Sequence, residues 1–305
     1  MIRGRTIMLF IVPTILIFLA LLAIAIGGYN VWVKRKTDTE IERLKSSGEM
    51  RFFEARSAEG VAPAVLLIHG YGGSPFDLTP ISARLDSLGL AYRIPVLPGH
   101  GESPYEMEDV TYDDWRRTVR EAHAELQATY GRVILVGFSM GASLVLAEAA
   151  EHPPERLVLI APYFRLHRPP LVPGSVEGWA RALSTVIPVL RRMSKGDINL
   201  NDPDGLAAYQ ARKELAISAI AEVEEAGRKA RAALGSIDCP VLWLHSSEDG
   251  IADYERSMQA YEQLEQADIN IVRFTRSAHV LLFEYDAEAA VDSFISFISD
   301  SLQQD

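Results

Sequence analysis

Short, continuous apolar runs alternate with longer amphipathic segments along most of this chain. The apolar runs have the length of β-strands and occupy residues 64–68, 91–96, 132–136, 157–160, 241–244 and 269–274. Segments with apolar residues at helical spacing occupy residues 77–88, 113–130, 142–151 and 286–302. Strands that are apolar throughout are typical of a parallel sheet covered by helices on both faces. The pattern therefore predicts an α/β fold with a mostly parallel sheet, in one domain spanning residues 50–305.

One stretch of the chain interrupts this alternation. No strand pattern is found between Phe164 and Ser236, where a proline-rich start is followed by helical patterns around residues 176–193 and 206–234. The stretch is too long for a plain connection within a compact domain. We therefore predict that residues 165–236 form a helical cap inserted into the α/β domain.

The N-terminal segment has the composition of a membrane-spanning helix. Residues 6–29 carry no charge and are mostly Ile, Leu, Ala and Phe, and about 20 such residues cross a bilayer as a helix. A cleaved signal peptide, cut near residues 23–25, is the alternative, but its apolar core usually has only about 7–15 residues. We therefore predict an uncleaved single-pass membrane anchor over residues 1–36, followed by a polar linker or short stalk over residues 37–49.

The flanks of the predicted anchor fit a membrane span but leave its direction open. Arg3 and Arg5 precede the apolar run, and residues 34–36 are all basic. Tyr29 and Trp32 fall where aromatic side chains line the membrane–water interface. Because both flanks are basic, their charge does not specify the side of the membrane on which the domain lies.

The net charge and the cysteine content of the chain bear on its partners, on disulfides and on metal binding. The 305-residue chain has a formal net charge of −11, which disfavours nucleic acid as a partner. The single cysteine, Cys239, excludes an internal disulfide, and its position before an apolar run favours a buried structural thiol. The sequence has neither a cysteine cluster nor an H-E-x-x-H pattern, so it predicts no metal and no cofactor.

A Gly-Phe-Ser-Met-Gly motif occupies residues 137–141, between a predicted strand and a predicted helix. A G-x-S-x-G motif in that position places its serine on a tight strand-to-helix turn, where side chains in place of the glycines would clash. The turn holds the hydroxyl clear of the sheet, and the N-terminus of the following helix points at the reacting centre. The motif therefore identifies Ser139 as a candidate nucleophile.

The serine needs a base, which in turn needs an acid to orient it. On a turn of this kind the partners follow the serine in the order acid, then histidine. His245 and His279 are the histidines beyond the predicted cap. Because His245 ends a predicted strand, a core role is favoured for it. His279 lies in the loop after the last strand and is predicted as the general base.

The acid is expected in the loop after the fifth predicted strand. Glu248 and Asp249 both lie there, and Asp253 follows at a greater distance. Asp249, which Gly-Ile-Ala follows, is the preferred candidate. Its role is to fix the tautomer of the imidazole and to stabilise the imidazolium.

An oxyanion hole needs two main-chain N–H groups aimed at the developing negative charge. We predict the N–H of Met140, directly after the serine, and the N–H of Tyr71 in the Gly-rich loop of residues 69–73. That loop lacks the G-x-x-x-x-G-K-[ST] pattern of a phosphate-binding loop. We interpret His69 as a structural hydrogen-bonding residue and residues 98–103 as a tight loop near the mouth of the site.

Taken together in chain order, these motifs resemble the α/β-hydrolase family, and in particular its bacterial carboxylesterases and monoacylglycerol lipases. The resemblance extends from about Met50 to the end of the chain. It rests on six motifs: His-Gly-Tyr-Gly-Gly (69–73), Pro-Gly-His-Gly (98–101), Asp-Trp (114–115), Gly-Phe-Ser-Met-Gly (137–141), Cys-Pro-Val-Leu (239–242) with Asp249, and Ser-Ala-His (277–279). The resemblance implies hydrolysis of acyl esters through an acyl-enzyme, with the cap setting the range of substrates.

Three functions remain open at this point. The first is a carboxylesterase or lipase that acts on a monoacylglycerol-like or lysophospholipid ester, since a membrane-tethered enzyme with a helical cap suits an amphipathic acyl substrate. The second is a peptidase or amidase with the same three catalytic groups. The third is a non-catalytic binding protein, against which the intact serine, acid and histidine set argues.

Overall fold

The computed structural model describes residues 2–48, 53–101, 104–165, 192–194, 197–209, 214–264 and 267–302. The strands in these ranges are β1 (Arg56–Ala58), β2 (Val61–Ile68), β3 (Leu90–Ile94), β4 (Val133–Phe138), β5 (Arg156–Ile160), β6 (Arg192–Ser194), β7 (Glu214–Ala216), β8 (Val241–Ser246) and β9 (Ile269–Phe274). The α-helices are α1 (Ile2–Ser47), α2 (Thr79–Leu88), α3 (Tyr112–Tyr130), α4 (Met140–Glu151), α5 (Pro203–Ala208), α6 (Ile217–Ala233), α7 (Tyr254–Tyr261) and α8 (Ala287–Leu302).

Seven of these strands form the central sheet, in the order β1-β3-β2-β4-β5-β8-β9. Every neighbouring pair is parallel except β1 with β3, which is antiparallel and lies at one edge. The predicted mostly parallel sheet is therefore confirmed. The carboxyl ends of β4, β8 and β9 point to the same edge, where ligands bind in open α/β sheets.

Two apolar clusters lie on opposite faces of this sheet, as the continuous apolar strands require. On one face α3, α4 and α6 contribute Trp115, Leu144 and Ala226, all fully buried. On the other face α2 and α8 contribute Leu85 and Phe294, also fully buried. Each large apolar side chain buried in this way stabilises the fold by about 1.5–3 kcal/mol. The domain is thus a three-layer α/β sandwich.

Local interactions set both ends of helix α3. The side chain of Thr111 accepts the N–H of Asp114 at the start of α3, and the carboxylate of Asp114 accepts the N–H of Thr111 in return. Such a capping box satisfies two N–H groups that lack partners within the helix. Gly131 ends the same helix in the left-handed region, at φ 73°, where a residue without Cβ is unstrained.

The insertion predicted over residues 165–236 is not purely helical. Strands β6 and β7 pair antiparallel within it, so the expectation of a strand-free stretch is wrong. Each strand has three residues, too few to show a period of two or an apolar run. Helix α6 lies within the predicted 206–234 segment, and its buried residues pack against α4. Most of the predicted 176–193 segment lies outside the described residues.

The N-terminal segment forms one long helix, α1, that continues well past the apolar run. The helix includes the region expected to be a linker, as far as Ser47. Within that region Arg43 forms an ion pair with Glu40, three residues earlier, which stabilises the helix locally. Thr37 and Leu44 are buried, so one face of this part of the helix packs against the protein. Residues 37–49, predicted as a linker or short stalk, are therefore helical as far as Ser47.

Candidate active site

Ser139 lies on a strained turn between β4 and α4. Its φ of 55° and ψ of −120° are rare for a residue with a side chain. A Cβ at Gly137 would lie 2.5 Å from the main chain of Ala142, and one at Gly141 would lie 2.1 Å from the carbonyl oxygen of Ile68. The two glycines of the motif therefore allow the close approach of β2, β4 and α4 that fixes this turn.

The structure brings Ser139, His279 and Asp249 together from three separate loops. Atom Nε2 of His279 lies 2.9 Å from Oγ of Ser139, and Nδ1 of His279 lies 2.8 Å from Oδ2 of Asp249. Ser139 is 7% exposed, and the other two are each 8% exposed. A nucleophile bonded to a base that is itself oriented by an acid is the arrangement used in nucleophilic catalysis.

Four N–H groups surround the carboxylate of Asp249. Oδ1 accepts the main-chain N–H groups of Ile251 and Ala252, each at 2.8 Å, while Oδ2 faces His279 and His245, the latter at 3.2 Å. Burial alone would raise the pKa of Asp249. The charge of His279 and the hydrogen bonds from both histidines outweigh this effect and hold the pKa well below its usual range. The carboxylate is therefore ionised at neutral pH.

Glu248 and His245, the alternatives for the acid and the base, have different surroundings from Asp249 and His279. Glu248 is exposed, unlike the buried Asp249. Nε2 of His245 lies 3.0 Å from the carbonyl oxygen of Ala252 as well as 3.2 Å from Asp249. Because a carbonyl oxygen only accepts, this nitrogen carries a proton. The contact of His245 with the acid was not expected from the sequence, although its position four residues before Asp249 was a signal for it.

The Gly-rich loop of residues 69–73 lies directly against the serine. A Cβ at Gly70 would be 3.1 Å from Cβ of Ser139, so this loop approaches the serine as closely as a glycine allows. Met140 is the first residue of α4, where an N–H has no partner within the helix. The N–H groups predicted for the oxyanion hole, those of Tyr71 and Met140, thus belong to the two segments that adjoin the serine.

Two fully buried histidines hold the loop that carries Tyr71. Nε2 of His100 accepts the N–H of Gly72, and Nε2 of His69 accepts the N–H of Leu97, both at 3.1 Å. Since Nε2 accepts in each ring, Nδ1 carries the proton, and it faces a main-chain carbonyl oxygen at 3.0 Å in His69 and 3.1 Å in His100. His69 therefore has the structural contacts expected from the sequence, and His100 supports the loop in the same way.

The side chain of Tyr71 connects the same loop to the insertion. Its hydroxyl donates to the carbonyl oxygen of Ala216, the last residue of β7, at 2.8 Å. Burial raises the pKa of the Tyr71 phenol far above its usual value, so the group stays protonated and donates. The insertion is thereby bonded to the loop beside Ser139.

Among the residues that the structure describes, no group of three or more His, Cys, Asp or Glu is placed to hold a metal ion. Cys239 is buried, and burial, reinforced by the charge of Asp238, raises the pKa of its thiol to about 12. A protonated thiol of this kind has the properties of a structural side chain.

Solved structures with the same architecture are known. A metagenome-derived lipolytic enzyme superimposes with a TM-score of 0.73 at 22% identity, covering 82% of this chain and 98% of the other. The monoacylglycerol lipase of Paleococcus ferrophilus gives a TM-score of 0.68 at 22% identity, covering 81% and 99%. The fold is therefore that of the α/β-hydrolases.

Comparison of the amino-acid sequence with known proteins leads to the same group of enzymes. The thermostable monoacylglycerol lipase of Bacillus sp. (strain H-257) is 25% identical over 242 residues, or 79% of this chain and 92% of that relative. The monoacylglycerol lipase of Mycolicibacterium smegmatis is 24% identical over 258 residues, or 78% and 88%. The family model described as serine aminopeptidase, S33, matches residues 60–286. The chain belongs to this family of α/β-hydrolases.

Proposed function

We propose that this protein is a serine hydrolase that cleaves carboxylic esters through an acyl-enzyme. The observation that carries the proposal is the continuous contact from Ser139 through His279 to Asp249, at 2.9 and 2.8 Å. A histidine whose Nδ1–H is held by an ionised carboxylate presents an unprotonated Nε2 to the serine hydroxyl. That nitrogen is the base that a serine nucleophile requires.

The reaction follows from these contacts in two halves. Oγ of Ser139 attacks the carbonyl carbon of the ester while Nε2 of His279 takes the hydroxyl proton. The N–H groups of Tyr71 and Met140 stabilise the oxyanion of the tetrahedral intermediate. The carbon–oxygen bond to the alcohol then breaks, and His279 gives its proton to the departing alkoxide oxygen. Water attacks the acyl-enzyme by the same route and releases the carboxylic acid and the free serine.

The substrate class is an amphipathic acyl ester, such as a monoacylglycerol or a lysophospholipid. Two of the relatives with extensive coverage are named monoacylglycerol lipases. A long apolar N-terminal helix adds a second reason, because a tether in the bilayer places the enzyme where such esters partition. In this proposal Leu215, Ile217 and Ile220, on β7 and α6 of the insertion, lie beside the acyl chain. The insertion then sets the range of acyl chain lengths that the enzyme accepts.

An activity-based probe tests the proposal directly. Full-length protein in detergent is treated with a fluorophosphonate and assayed on p-nitrophenyl esters of increasing chain length. Ser139→Ala is expected to abolish labelling and hydrolysis without unfolding the domain. Ser87→Ala, an exposed serine on α2, is the matched control and retains both. A Ser139→Ala protein that keeps more than about a hundredth of the wild-type kcat contradicts the assignment, because loss of a triad member costs far more.

The amidase alternative is tested in the same assay. The family description names an aminopeptidase, and the same three groups cleave amides on other folds. An aminoacyl p-nitroanilide is therefore assayed beside the esters. A kcat/KM for the anilide above that of every ester identifies a peptidase or amidase. Absence of labelling at Ser139 indicates a non-catalytic binding protein.

We further propose that α1 is an uncleaved membrane anchor. Over Pro13–Ser47 this helix is long and apolar enough to cross a bilayer. Large apolar side chains between Ile15 and Ile24 are exposed, Ile24 by 71%, which is costly in water but favourable in lipid. Trp32 lies beside Tyr29 at 5.9 Å and below the ammonium group of Lys36 at 4.4 Å, a combination suited to the membrane interface.

Fractionation and mass spectrometry test the anchor. Full-length protein is expected to remain with membranes after carbonate extraction, and its mature N-terminus is expected to precede residue 6. A mature chain that starts near Ile26 identifies a cleaved signal peptide instead.

A further inference from the structure

A short segment of the insertion lies between the two loops that carry the acid and the base. The side-chain oxygen of Asn199 accepts the N–H of Gly250 and the N–H of His279, each at 3.0 Å. The main-chain oxygen of Asn199 lies 3.1 Å from the same His279 N–H. One amide side chain thus joins the residue that follows Asp249 to the main chain of the base itself.

Residues 201–202 of the same segment bond to the loop that carries His279 through a second set of contacts. The carboxylate of Glu284, 4% exposed, accepts the N–H groups of Asn201 at 2.6 Å, Asp202 at 3.0 Å and Ala278 at 2.8 Å. Leu200, between these contacts, packs in an apolar cluster that includes Val280. Asn199 is therefore held from its C-terminal side by contacts that do not involve the acid.

Asp249 and His279 lie in loops that follow the neighbouring strands β8 and β9, and the Asn199 side chain adds a bond between these loops beyond the pairing of the strands. Asp249 follows β8, and His279 lies in the loop after β9, so their 2.8 Å contact depends on two loops keeping their separation. Displacements of about 1 Å from the reactive arrangement reduce rates by as much as about 100-fold. A group that bonds to both loops is therefore placed to preserve that contact.

The sequence at Gly250 fits this arrangement. A Cβ there would lie 3.1 Å from Nδ2 of Asn199, closer than an ordinary van der Waals contact. The glycine after the acid thus leaves room for the Asn199 amide to reach both N–H groups.

We infer that Asn199 is a positioning residue for the Asp249–His279 pair, an inference that rests on the proposed serine-hydrolase function. The insertion then contributes to the acid–base pair as well as covering the site. The side chain of Asn199 contributes one acceptor oxygen that two main-chain N–H groups share, beside the main-chain oxygen that also faces the N–H of His279. A substitution that removes this oxygen is expected to lower the rate of the chemical step rather than the binding of the ester.

The test uses full-length protein in detergent, with a fluorophosphonate to count active sites and a p-nitrophenyl ester to measure kcat and KM. Asn199→Ala and the larger Asn199→Leu both lack the acceptor. They are expected to lower kcat per labelled site about 10- to 100-fold, with KM changed less than threefold. Asn199→Asp keeps an acceptor oxygen and is expected to restore kcat to within about fivefold of wild type. Asn201→Ala is the matched control, because its side chain makes only a 3.4 Å contact with the carbonyl oxygen of Arg276.

A purely structural role gives a different result. In that case Asn199→Ala lowers the melting temperature and the number of labelled sites but leaves kcat per labelled site within twofold of wild type, which overturns the inference. If neither Asn199→Ala nor Asn199→Leu yields labelled protein, the Gly250→Ala variant tests the inference instead. Its Cβ displaces the amide while every donor remains, and an unchanged kcat per labelled site overturns the inference. Wild-type protein that neither labels nor hydrolyses the ester contradicts the proposed function itself.

Discussion

Replacement of Asp249 by Asn exchanges one acceptor oxygen for an N–H donor, and the surrounding contacts determine where that donor goes. On the Oδ1 side the carboxylate accepts two main-chain N–H groups at 2.8 Å, whose protons are fixed. An asparagine NH₂ on that side would face both of them. On the Oδ2 side it faces His279, which is free to change its tautomer, and the Nε2–H of His245, which keeps the carbonyl oxygen of Ala252 as its acceptor. The asparagine oxygen therefore takes the Oδ1 position, and its NH₂ group faces His279.

The consequence for the reaction follows from this orientation. Nδ1 of His279 becomes an acceptor of the asparagine N–H, so the proton of the neutral ring moves to Nε2. That atom lies 2.9 Å from Oγ of Ser139 and no longer accepts the hydroxyl proton. A triad aspartate replaced by asparagine with the wrong tautomer lowers kcat by about 10⁴-fold, which corresponds to about 5.4 kcal/mol in the activation free energy.

The assay compares kcat of Asp249→Asn, Glu248→Gln and wild type on one p-nitrophenyl ester, with melting temperature as the check on folding. Glu248→Gln is the matched control because that side chain is exposed, and its kcat is expected within about threefold of wild type. A large loss in Glu248→Gln with near-normal activity in Asp249→Asn refutes the assignment of the acid. A fall of less than tenfold in Asp249→Asn refutes the tautomer argument.

Three further predictions concern stability. Because the pKa of Asp249 is depressed in the folded state, its ionisation stabilises the fold fully above its unfolded pKa of about 3.9, and this contribution is lost as the pH falls further. The difference in melting temperature between wild type and Asp249→Asn should therefore shrink as the pH falls below about 4, and a difference that stays the same down to about pH 2 contradicts this. Glu148→Gln leaves the buried guanidinium of Arg116 without its buried carboxylate and should lower the free energy of unfolding by about 2–4 kcal/mol in urea titration; a change under 0.5 kcal/mol contradicts this. Gly141→Ala places a Cβ 2.1 Å from the carbonyl oxygen of Ile68 and should yield little folded protein by circular dichroism, whereas a wild-type melting temperature would mean that the turn relaxes.

The sheet was predictable because its signal is local. Strand β9 begins and ends where the apolar run predicts, and β2, β5 and β8 extend their predicted runs by one to three residues at one end. Strands β3 and β4 differ from their predicted runs by one residue at the start and two at the end. The short strands β1, β6 and β7 were not predicted. Three residues such as Arg-Ser-Ala or Glu-Leu-Ala contain no periodicity, so they become strands through their partners rather than through their own sequence.

The site was predictable only where chain order and a motif act together. Ser139 follows from a five-residue motif in its strand–helix context, and Asp249 and His279 from their order after it; the structure brings these three side chains together. The contact of His100 with Gly72 and that of Asn199 with Gly250 were not predicted. In each case a side chain bonds to a main-chain N–H, which every residue except proline carries. The residue type of the partner therefore does not specify the contact.

These unpredicted contacts share one consequence for the insertion. Ala216 accepts the hydroxyl of Tyr71 on the loop beside the serine, and Asn199 accepts main-chain N–H groups of the acid and base loops. The insertion is therefore bonded to two separate parts of the candidate site, through atoms that adjoin the proposed catalytic groups. A displacement of the insertion that breaks both contacts disturbs the loop of residues 69–73 and the Asp249–His279 contact at once. If the insertion of a relative replaced this one, it would have to supply both acceptor oxygens to preserve the rate of hydrolysis. This requirement holds whatever acyl chain the new insertion accommodates.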